Sequence, residues 1–389
     1  MRTAIVGAAL LAAGVSAILT GLYPATDAFA LLERVWPVLL FVVAITVVAE
    51  LAAEAGLFDL LAAWATRVAR GSAWALWLLT AAVATVSTIF LSLDTTAVLL
   101  TPIVVTMARH VRLNPLPFAL TTVMLANTAS LLLPVSNLTN LLAEQRLKGS
   151  SAGGSGTAAF VALSWAPALV AVVLPCIAIA VLGRKNLAAR FVVQQREKLR
   201  DPRLTTAAAV VVLALLPALV SGMPVWIPAC VAAGVLAIVF AVLRRDVLRV
   251  SLVPWSMVVF AGGMFLAAGA VEAIGSGAVV RELVGYGTSP LALLRVSGVG
   301  LLGANAANNL PAYLALEPAA QHPVQLMALL IGVNVGPLIT PWASLATLLW
   351  HSRLQRLGVG VPWGRYMVIG VVVAPVTVIA ATLALAAIT

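Results

Sequence analysis

Long uninterrupted runs of apolar residues dominate the pattern along this chain. Each run holds 18 or more mostly apolar residues, which is enough for an α-helix to cross roughly 30 Å of hydrocarbon. The runs do not alternate between apolar and polar positions, so they favour helices over the strands of a membrane barrel. The predicted spans are residues 4–22, 35–55, 158–183, 204–222, 225–243, 254–272 and 366–388.

Composition supports a chain that lies in the lipid bilayer. Of 389 residues, 62% are hydrophobic and only 9% are charged, and a soluble fold with this content could not cover its surface with polar groups. Cys176 and Cys230 each fall inside an apolar run, so we interpret them as small buried hydrophobes. The first run also fits a cleaved signal peptide ending at 28–30, although we favour a retained first helix.

One stretch breaks this pattern with a proline and many amides and hydroxyls. It reads "ANTASLLLPVSNLTNLL" at 126–142, and a matching stretch, "VNVGPLITPWASLATLL", lies 207 positions later at 333–349. The shift superposes Asn127 on Asn334 and Pro134 on Pro341. The chain therefore contains an internal repeat, and we predict one broken helix in each half.

A second pair of segments agrees with this repeat. "LSLDTTAVLLTP" at 91–102 precedes the first broken helix, and "AANNLPAYLAL" at 306–316 precedes the second. Polar residues, Asp94 in one and Asn308 and Asn309 in the other, interrupt an apolar run. The match requires a linker about eight residues shorter in the second half.

The distribution of charge predicts the orientation of the chain. The net charge is +10, and basic residues concentrate in "GRKNLAARFVVQQREKLRDPR" at 183–203, which is typical of a cytoplasmic loop and not of a nucleic-acid site. Threading the spans from this loop places the N-terminus in the cytoplasm and the C-terminus outside. Eighteen basic residues then lie on the cytoplasmic side, and four lie outside: Arg34, Arg146, Lys148 and Arg281. The threading does not assign Arg295 to either side.

This threading makes the two halves run in opposite directions. Residues 73–108 become a re-entrant hairpin from the cytoplasmic side, and 289–318 become its mirror from outside. We predict an all-α polytopic membrane protein with two inverted-topology repeats, re-entrant hairpins, broken helices and about 9–11 transmembrane helices. The predicted division is a first repeat at 1–183, a basic cytoplasmic loop at 184–203 and a second repeat at 204–389.

The two breaks predict a small polar chamber near the middle of the bilayer. Pro134 and Pro341 each remove a backbone donor and disrupt the preceding turn, and the freed groups persist in a membrane only where protein or water satisfies them. Inverted repeats with such breaks are the architecture of secondary transporters. The candidate substrate-binding residues are Asn127, Ser136, Asn137, Asn140, Asn308, Asn309, Asn334, Thr340, Ser344 and Thr347.

Asp94, with Thr95 beside it, is the candidate ion-coupling site. It is the carboxylate that the threading places at membrane depth, where an unpaired charge is expensive. Such a group can take up and release a proton, or hold a cation, as access alternates between the two sides. The alternative is a structural carboxylate that caps the second arm of the hairpin.

The motifs resemble those of a known family. "LLTPIVV" at 99–105, "NTASLLLPVSNLTNLL" at 127–142, "NNLP" at 308–311 and "VGPLITPWASLATLLWH" at 335–351 are similar to arsenical efflux permeases of the ArsB type, within the ion transporter superfamily. "VPWSMVVFAGGMFL" fits as well, and the resemblance runs over about 35–388. It implies an inner-membrane carrier that exports arsenite and antimonite, coupled to protons or assisted by a soluble ATPase. Assembly of two copies of the chain into a homodimer is a further possibility.

One departure from the family concerns the first hairpin tip. Typical members carry Asn-Asp-Gly there, whereas this chain has "SLDTT", which keeps only Asp94. Arsenite near neutral pH is largely an uncharged trihydroxide, which hydroxyl and amide groups can bind without a basic clamp. The alternatives are a sodium- or proton-coupled permease for dicarboxylate or sulfate and a sodium/proton antiporter. No cofactor, metal site or enzymatic motif is predicted.

Overall fold

The computed structural model describes residues 2–148, 156–192, 201–273 and 277–389. Within these ranges the regular structure is helical, apart from one isolated bridge between Ser72 and Arg190. Residues 193–200, the centre of the predicted basic loop, lie outside the described ranges. The first-half helices are α1 (Arg2–Leu19), α2 (Ala25–Glu54), α3 (Leu57–Val68), α4 (Ala73–Leu91), α5 (Leu93–Thr95), α6 (Thr101–His110), α7 (Leu116–Thr128), α8 (Leu138–Lys148) and α9 (Gly156–Leu187).

The second half repeats most of this order after one additional helix. A short π-helical turn, Thr96–Leu100, joins α5 to α6 in the first half. The remaining helices are α10 (Pro202–Leu219), α11 (Trp226–Leu243), α12 (Trp255–Ala273), α13 (Gly277–Val284), α14 (Pro290–Ala306), α15 (Asn309–Leu316), α16 (Pro323–Val335), α17 (Leu345–Arg356) and α18 (Trp363–Ile388).

The helix boundaries repeat with the spacing found in the sequence. Helices α7 and α16 begin 207 positions apart, at 116 and 323, and so do α8 and α17, at 138 and 345. The last helices of the two halves, α9 and α18, keep the same spacing, at 156 and 363. The predicted internal repeat therefore extends from the sequence to the positions at which helices start.

The two hairpin tips share an uncommon backbone conformation. Ser92 and Asn308 both have positive φ, 97° and 143°, and both precede the second arm of their hairpin. Each first arm starts after a serine cap, Ser72 or Ser289, whose hydroxyl accepts from a backbone N–H. The tips are 216 positions apart, so Ser92, and not Asp94, is the equivalent of Asn308. The linker to the break is thus nine residues shorter in the second half.

Hydrogen bonds and an ion pair at the two ends of the molecule show that the hairpins enter from opposite sides. At one end Arg109, in the last turn of α6, donates to the carbonyl of Leu357 just after α17, over 2.6 Å. At the other end Arg146, in the last turn of α8, donates to the carbonyl of Glu317 at the base of the second hairpin, over 2.5 Å. Arg34, near the start of α2, forms an ion pair with the same Glu317. Helix α7 starts just after α6, at the first of these ends, whereas its equivalent α16 starts just after Glu317, at the other end. The two repeats are therefore inverted.

The halves also exchange packing partners. In the order of helices, α11 is the equivalent of α1, and α12 is the equivalent of α2. Helix α1 packs along α12, and α11 packs along α2, so each helix packs against the opposite half. The first pair approaches closely because two glycines meet there: a Cβ on Gly263 would collide with the carbonyl oxygen of Gly7. Helix α10 has no counterpart in the first half, and this odd helix reverses the direction of the second repeat.

The outer surface of the helices is apolar, as expected for contact with lipid. Six helices are long and apolar enough to cross a membrane, namely α2, α4, α9, α10, α11 and α18, and five shorter apolar helices accompany them among the described residues. Side chains such as Val181 and Ile238 are 61% and 67% exposed, which in a bilayer carries no penalty. The predicted fold class is confirmed. The division into 1–183, 184–203 and 204–389 remains a proposal. Helix α9 continues to Leu187, beyond the first of these boundaries.

Candidate functional site

The first helix break satisfies its freed backbone groups with its own side chains. The chain is extended at Leu133 and again at Asn137, on either side of a short turn that begins at Pro134. The hydroxyl of Ser136 donates to the carbonyl of Leu133 over 2.6 Å. Asn140 donates to the carbonyls of Ser130 and Leu133, over 2.6 and 3.1 Å. These two side chains therefore replace the helical hydrogen bonds that the break removes.

The second break obtains its partners from the neighbouring hairpin instead. Asn305, near the end of α14, donates to the carbonyl of Gly336 over 2.9 Å. Its side-chain oxygen accepts from both the backbone N–H and the hydroxyl of Thr340, each over 2.9 Å. The indole of Trp342 donates to the Asn305 carbonyl over 2.7 Å. Asn305 therefore fixes the second hairpin to the second break.

A buried amide on α16 connects the two repeats. The side-chain oxygen of Asn334 accepts from Asn137 over 2.9 Å and from Thr139 over 3.1 Å, and its amide donates to Asn140 over 2.7 Å. Its repeat equivalent, Asn127, makes one hydrogen bond to the described residues of the other half, to Thr347 over 3.3 Å. The oxygen of Asn127 has no hydrogen-bond partner within the described part of the chain.

The two hairpin tips and the two breaks meet at one cavity. Its volume is about 50 Å³, room for a small solute or a few water molecules. The first hairpin contributes 92–94, the second contributes 308–310, and the breaks contribute 135–138 and 344–345. The remaining wall comes from α2, α12 and one residue of α8, and its members are Phe41, Val42, Ile45, Thr46, Met257, Phe260, Ala261 and Leu141.

The polar surface of the cavity is neutral except for one carboxyl group. Asp94 Oδ1 and Ser344 Oγ are shielded from solvent and have no hydrogen-bond partner among the residues described. Asn308 donates to the carbonyl of Trp342 over 2.8 Å, and Asn309 accepts from the N–H of Leu310 over 2.8 Å. The lining contains no lysine, arginine or histidine among the described residues. Asp94 Oδ1 and Ser344 Oγ therefore keep unused hydrogen-bonding capacity at the cavity, although neither oxygen is accessible to solvent in this conformation.

Four helices begin at this cavity. Helices α5 and α15 start at the two tips, and α8 and α17 start at the two breaks. The N-terminus of a helix carries a partial positive charge and N–H groups without intrahelical partners. Helix α17 has no side-chain cap, whereas the start of α5 is capped by Ser92, which accepts from the backbone N–H of Thr95 over 3.4 Å. Asn137 accepts from the N–H of Thr139 at the start of α8, and Asn308 and Asn309 accept from the N–H of Leu310 at the start of α15. Of these four starts, the uncapped one of α17 can therefore donate N–H groups to oxygen atoms of a solute.

The residues predicted from sequence separate into two layers. Those that line the cavity are Asp94, Ser136, Asn137, Asn308, Asn309 and Ser344. Those that stand outside its lining are Thr95, Asn127, Asn140, Asn334, Thr340 and Thr347. The second layer holds the breaks and the repeats together through the hydrogen bonds above, and Thr347 lies 3.5 Å from the hydroxyl of Tyr366. Pro134 and Pro341 each begin the short turn at a break.

Sequence reasoning missed several residues of this site. Ser92 lines the cavity and caps α5, and Asn305 supports the second break. The wall residues of α2 and α12, such as Phe41 and Phe260, were also not predicted. The available signal was the repeat itself: a polar residue at 92 and one at 308 hold the same place just before the second arm of a hairpin.

Comparisons with known proteins identify the kind of membrane protein. The chain is 27% identical over 394 residues to an arsenical pump membrane protein of Escherichia coli and 28% identical over 392 residues to that of strain K12, covering 92% of this chain and 88% of each relative. A 46 kDa membrane protein of Mycobacterium leprae is 22% identical over 369 residues, covering 88% of this chain and 84% of that protein.

The fold also has a solved counterpart. The YdaH transporter of Alcanivorax borkumensis, described as having an unusual topology, superposes with a TM-score of 0.60 at 15% identity, covering 96% of this chain and 87% of that one. The resemblance to ArsB-type permeases of the ion transporter superfamily is thereby confirmed. A family model described as citrate transporter, CitMHS, matches residues 2–332, and the chain belongs to this family of membrane transporters.

Proposed function

We propose that this chain exports arsenite or antimonite from the cytoplasm as the neutral trihydroxide, by alternating access coupled to the proton gradient. The observation that carries the proposal is the cavity between the two tips and the two breaks. It offers hydroxyl, amide and carboxyl groups, and its described lining has no basic side chain. A trihydroxide presents three O–H donors and several lone pairs, which the unpaired oxygens of Asp94 and Ser344 and the N-terminus of α17 can bind when the cavity opens to the solute.

The curated relatives support the substrate class. The two Escherichia coli relatives are named arsenical pump membrane proteins. The cavity lining, as far as the structure describes it, contains no cysteine, so arsenic would stay bound to oxygen and would not form the tight thiolate bonds that slow release. A weakly held neutral solute suits a carrier, which must release its cargo on the far side.

A second candidate is a sodium- or proton-coupled permease for an anion such as citrate or sulfate, or a sodium/proton antiporter. The description of the matching family as citrate transporter favours it, and so does the uncapped N-terminus of α17 at the cavity. The small cavity and the missing basic side chains in its described lining favour the neutral oxyacid. We therefore keep the anion permease as the alternative.

Everted membrane vesicles test the proposal. They should come from a host without its own arsenic carriers, with and without this chain. For one-to-one exchange, an inside-acid gradient of one pH unit supports up to about tenfold accumulation of arsenite, and a proton ionophore should abolish it. Sodium-driven uptake of citrate or sulfate without pH-driven arsenite uptake would instead establish the second candidate.

The same proposal includes a location and an orientation. We place the chain in the cytoplasmic membrane, with the N-terminus in the cytoplasm and the C-terminus outside, because the basic loops lie at one end. Any ATP-driven mode would require a separate ATPase chain, and a homodimer is an additional proposal.

Cysteine labelling checks this orientation. In a chain with Cys176 and Cys230 replaced by alanine, we introduce cysteine at the exposed positions Ser221, between α10 and α11, and Ala188, just after α9. We expect an impermeant thiol reagent applied to intact cells to label Ser221→Cys only, and to label Ala188→Cys only after the membrane is everted. Labelling of both from the same side would contradict the threading.

A further inference from the structure

A second cavity opens on the side of the protein, away from the candidate transport site. We call it the inner groove because it lies at the end where α7 and α18 begin and α9 ends, the end assigned to the cytoplasm. Its volume is about 290 Å³, and its wall is mostly apolar. The apolar wall is formed by Leu116, Pro117, Leu120, Ile179, Leu182, Gly183, Gly364, Val368 and Ile369.

Exposed apolar side chains show that the inner groove faces the lipid. Leu182 and Val368, on its two sides, are 60% and 70% exposed, so the groove is open laterally rather than enclosed between helices. The space exists because two positions carry no side chain. A Cβ on Gly364 would meet nothing within 4 Å, and one on Gly183 would lie 3.4 Å from Pro117.

The end of the inner groove is polar and positively charged. Arg365 and Asn186 complete its lining. Arg184 and Lys185 lie in the same last turn of α9 as Asn186, and they are exposed. No ion pair involves Arg365, Arg184 or Lys185 in the parts of the chain that the structure describes. Cationic side chains outside any described ion pair thus stand at one end of an apolar groove.

The equivalent place in the other half of the repeat is different. Shifting by 207 positions puts Thr157 at the place of Gly364 and Ala158 at the place of Arg365. Thr157 carries a side chain where the groove has none, and its hydroxyl donates to the buried Glu144. The inner groove is therefore not a general consequence of the repeat, because the equivalent positions Thr157 and Ala158 provide neither the space at Gly364 nor the charge of Arg365.

We infer that the inner groove binds one anionic phospholipid from the leaflet at the basic end. The phosphate group would lie at Arg365 and Asn186, with Arg184 and Lys185 adding positive potential, and one acyl chain would occupy the apolar wall. An acyl chain is equally apolar in the bilayer and in the groove, so the preference for this lipid comes from the charge of its headgroup. The inference goes beyond the proposed function, since it requires no particular substrate or coupling ion.

Native mass spectrometry of the purified full-length chain tests this inference. The probes are phosphatidylglycerol, which is anionic, and phosphatidylethanolamine, which is zwitterionic, each with the same acyl chains. We expect the protein to retain phosphatidylglycerol preferentially. Arg365→Gln should weaken its binding by roughly fivefold, the effect of one cationic side chain at a membrane surface. Arg356→Gln, an exposed arginine outside the groove, is the matched control and should leave binding unchanged.

A second variant tests the groove itself. Gly364→Leu places a side chain into the open space without removing charge, and we expect a loss of phosphatidylglycerol binding, because a lipid whose acyl chain cannot enter the groove cannot hold its phosphate at Arg365. If this variant does not fold, Val368→Phe fills the groove from its exposed side. Equal retention of both lipids by the unmodified chain would overturn the inference, and so would unchanged binding in Arg365→Gln. Weaker binding in Arg365→Gln with unchanged binding in the filled variants would also overturn it, because the acyl chain would then lie elsewhere.

Discussion

Replacing Asp94 with asparagine is expected to abolish arsenite accumulation driven by a pH gradient while leaving downhill exchange in place. Asn has nearly the same size and can still donate and accept hydrogen bonds, but it cannot exchange a proton. In vesicles with an inside-acid gradient, accumulation should fall from up to about tenfold to the level of vesicles without the chain. Exchange of labelled arsenite without a gradient should persist.

The structure gives a physical reason for this expectation. Asp94 lines the cavity at the tip of the first hairpin, one of its oxygens has no partner among the described residues, and no described ion pair includes it. A carboxylate in this setting is costly when ionised, and its cost changes as access to water changes. A difference in proton affinity between inward- and outward-open states couples proton flow to export.

The alternative role of Asp94, as a cap of the second hairpin arm, is weaker in the structure. Ser92 fills that role: its hydroxyl accepts from the N–H of Thr95 over 3.4 Å. We therefore expect the Asp94→Asn protein to be present in the membrane in the same amount as the unmodified chain. Asp246→Asn, which alters an exposed carboxylate paired with Arg244, is the matched control and should transport normally. Full gradient-driven accumulation by Asp94→Asn would exclude Asp94 as the coupling group.

The sequence predicted the architecture well because the repeat is visible both in the residue types and in their spacing along the chain. Proline and polar residues recur 207 positions apart, and the helix boundaries of the broken segments follow the same spacing. Apolar length gave the spans, and the asymmetry of basic residues separated the two ends. Arg34 and Arg146, both assigned to the outer side, indeed share Glu317 at one end of the molecule.

The sequence was less informative about which polar side chains reach the cavity. Composition identifies amides and hydroxyls within a break, but a helix that ends and restarts turns some of them inward and others against the neighbouring repeat. Asn137 and Asn140, three positions apart, have different roles: Asn137 lines the cavity, and Asn140 bonds carbonyls that the break sets free. Asn305 lies in an apolar arm, and only its hydrogen bond with Thr340 in the folded chain reveals its role.

Asn334 is the basis of the second large effect, because it makes three side-chain hydrogen bonds to the opposite repeat. Asn334→Leu would leave the Asn137 amide, the Thr139 hydroxyl and the Asn140 oxygen without this partner in a buried setting. Hydrogen bonds between membrane helices are each worth about 1 kcal/mol. We therefore expect the free energy of unfolding to fall by about 1–3 kcal/mol, together with a loss of transport as Asn137 loses its fixed position.

The repeat supplies a matched control for this change. Asn127 occupies the same position in the first half and is equally buried, but among the residues described it makes one hydrogen bond to the opposite repeat, over 3.3 Å. Asn127→Leu changes the same chemical group in the same helical position, so the two variants differ mainly in how many hydrogen bonds between the repeats they remove. We expect Asn127→Leu to lower the free energy of unfolding by less than about 1 kcal/mol.

Denaturant unfolding in detergent, followed by tryptophan fluorescence, measures both variants, and a double-mutant cycle assigns the difference. If the bond between Asn334 and Asn140 carries part of the stability, Asn140→Leu should destabilise the chain less in the Asn334→Leu background than in the unmodified chain. Additive effects in the cycle, or equal decreases in stability in Asn334→Leu and Asn127→Leu, would contradict a connecting role for Asn334. Such a result would place the coupling between repeats in the packing of α7 and α16 instead.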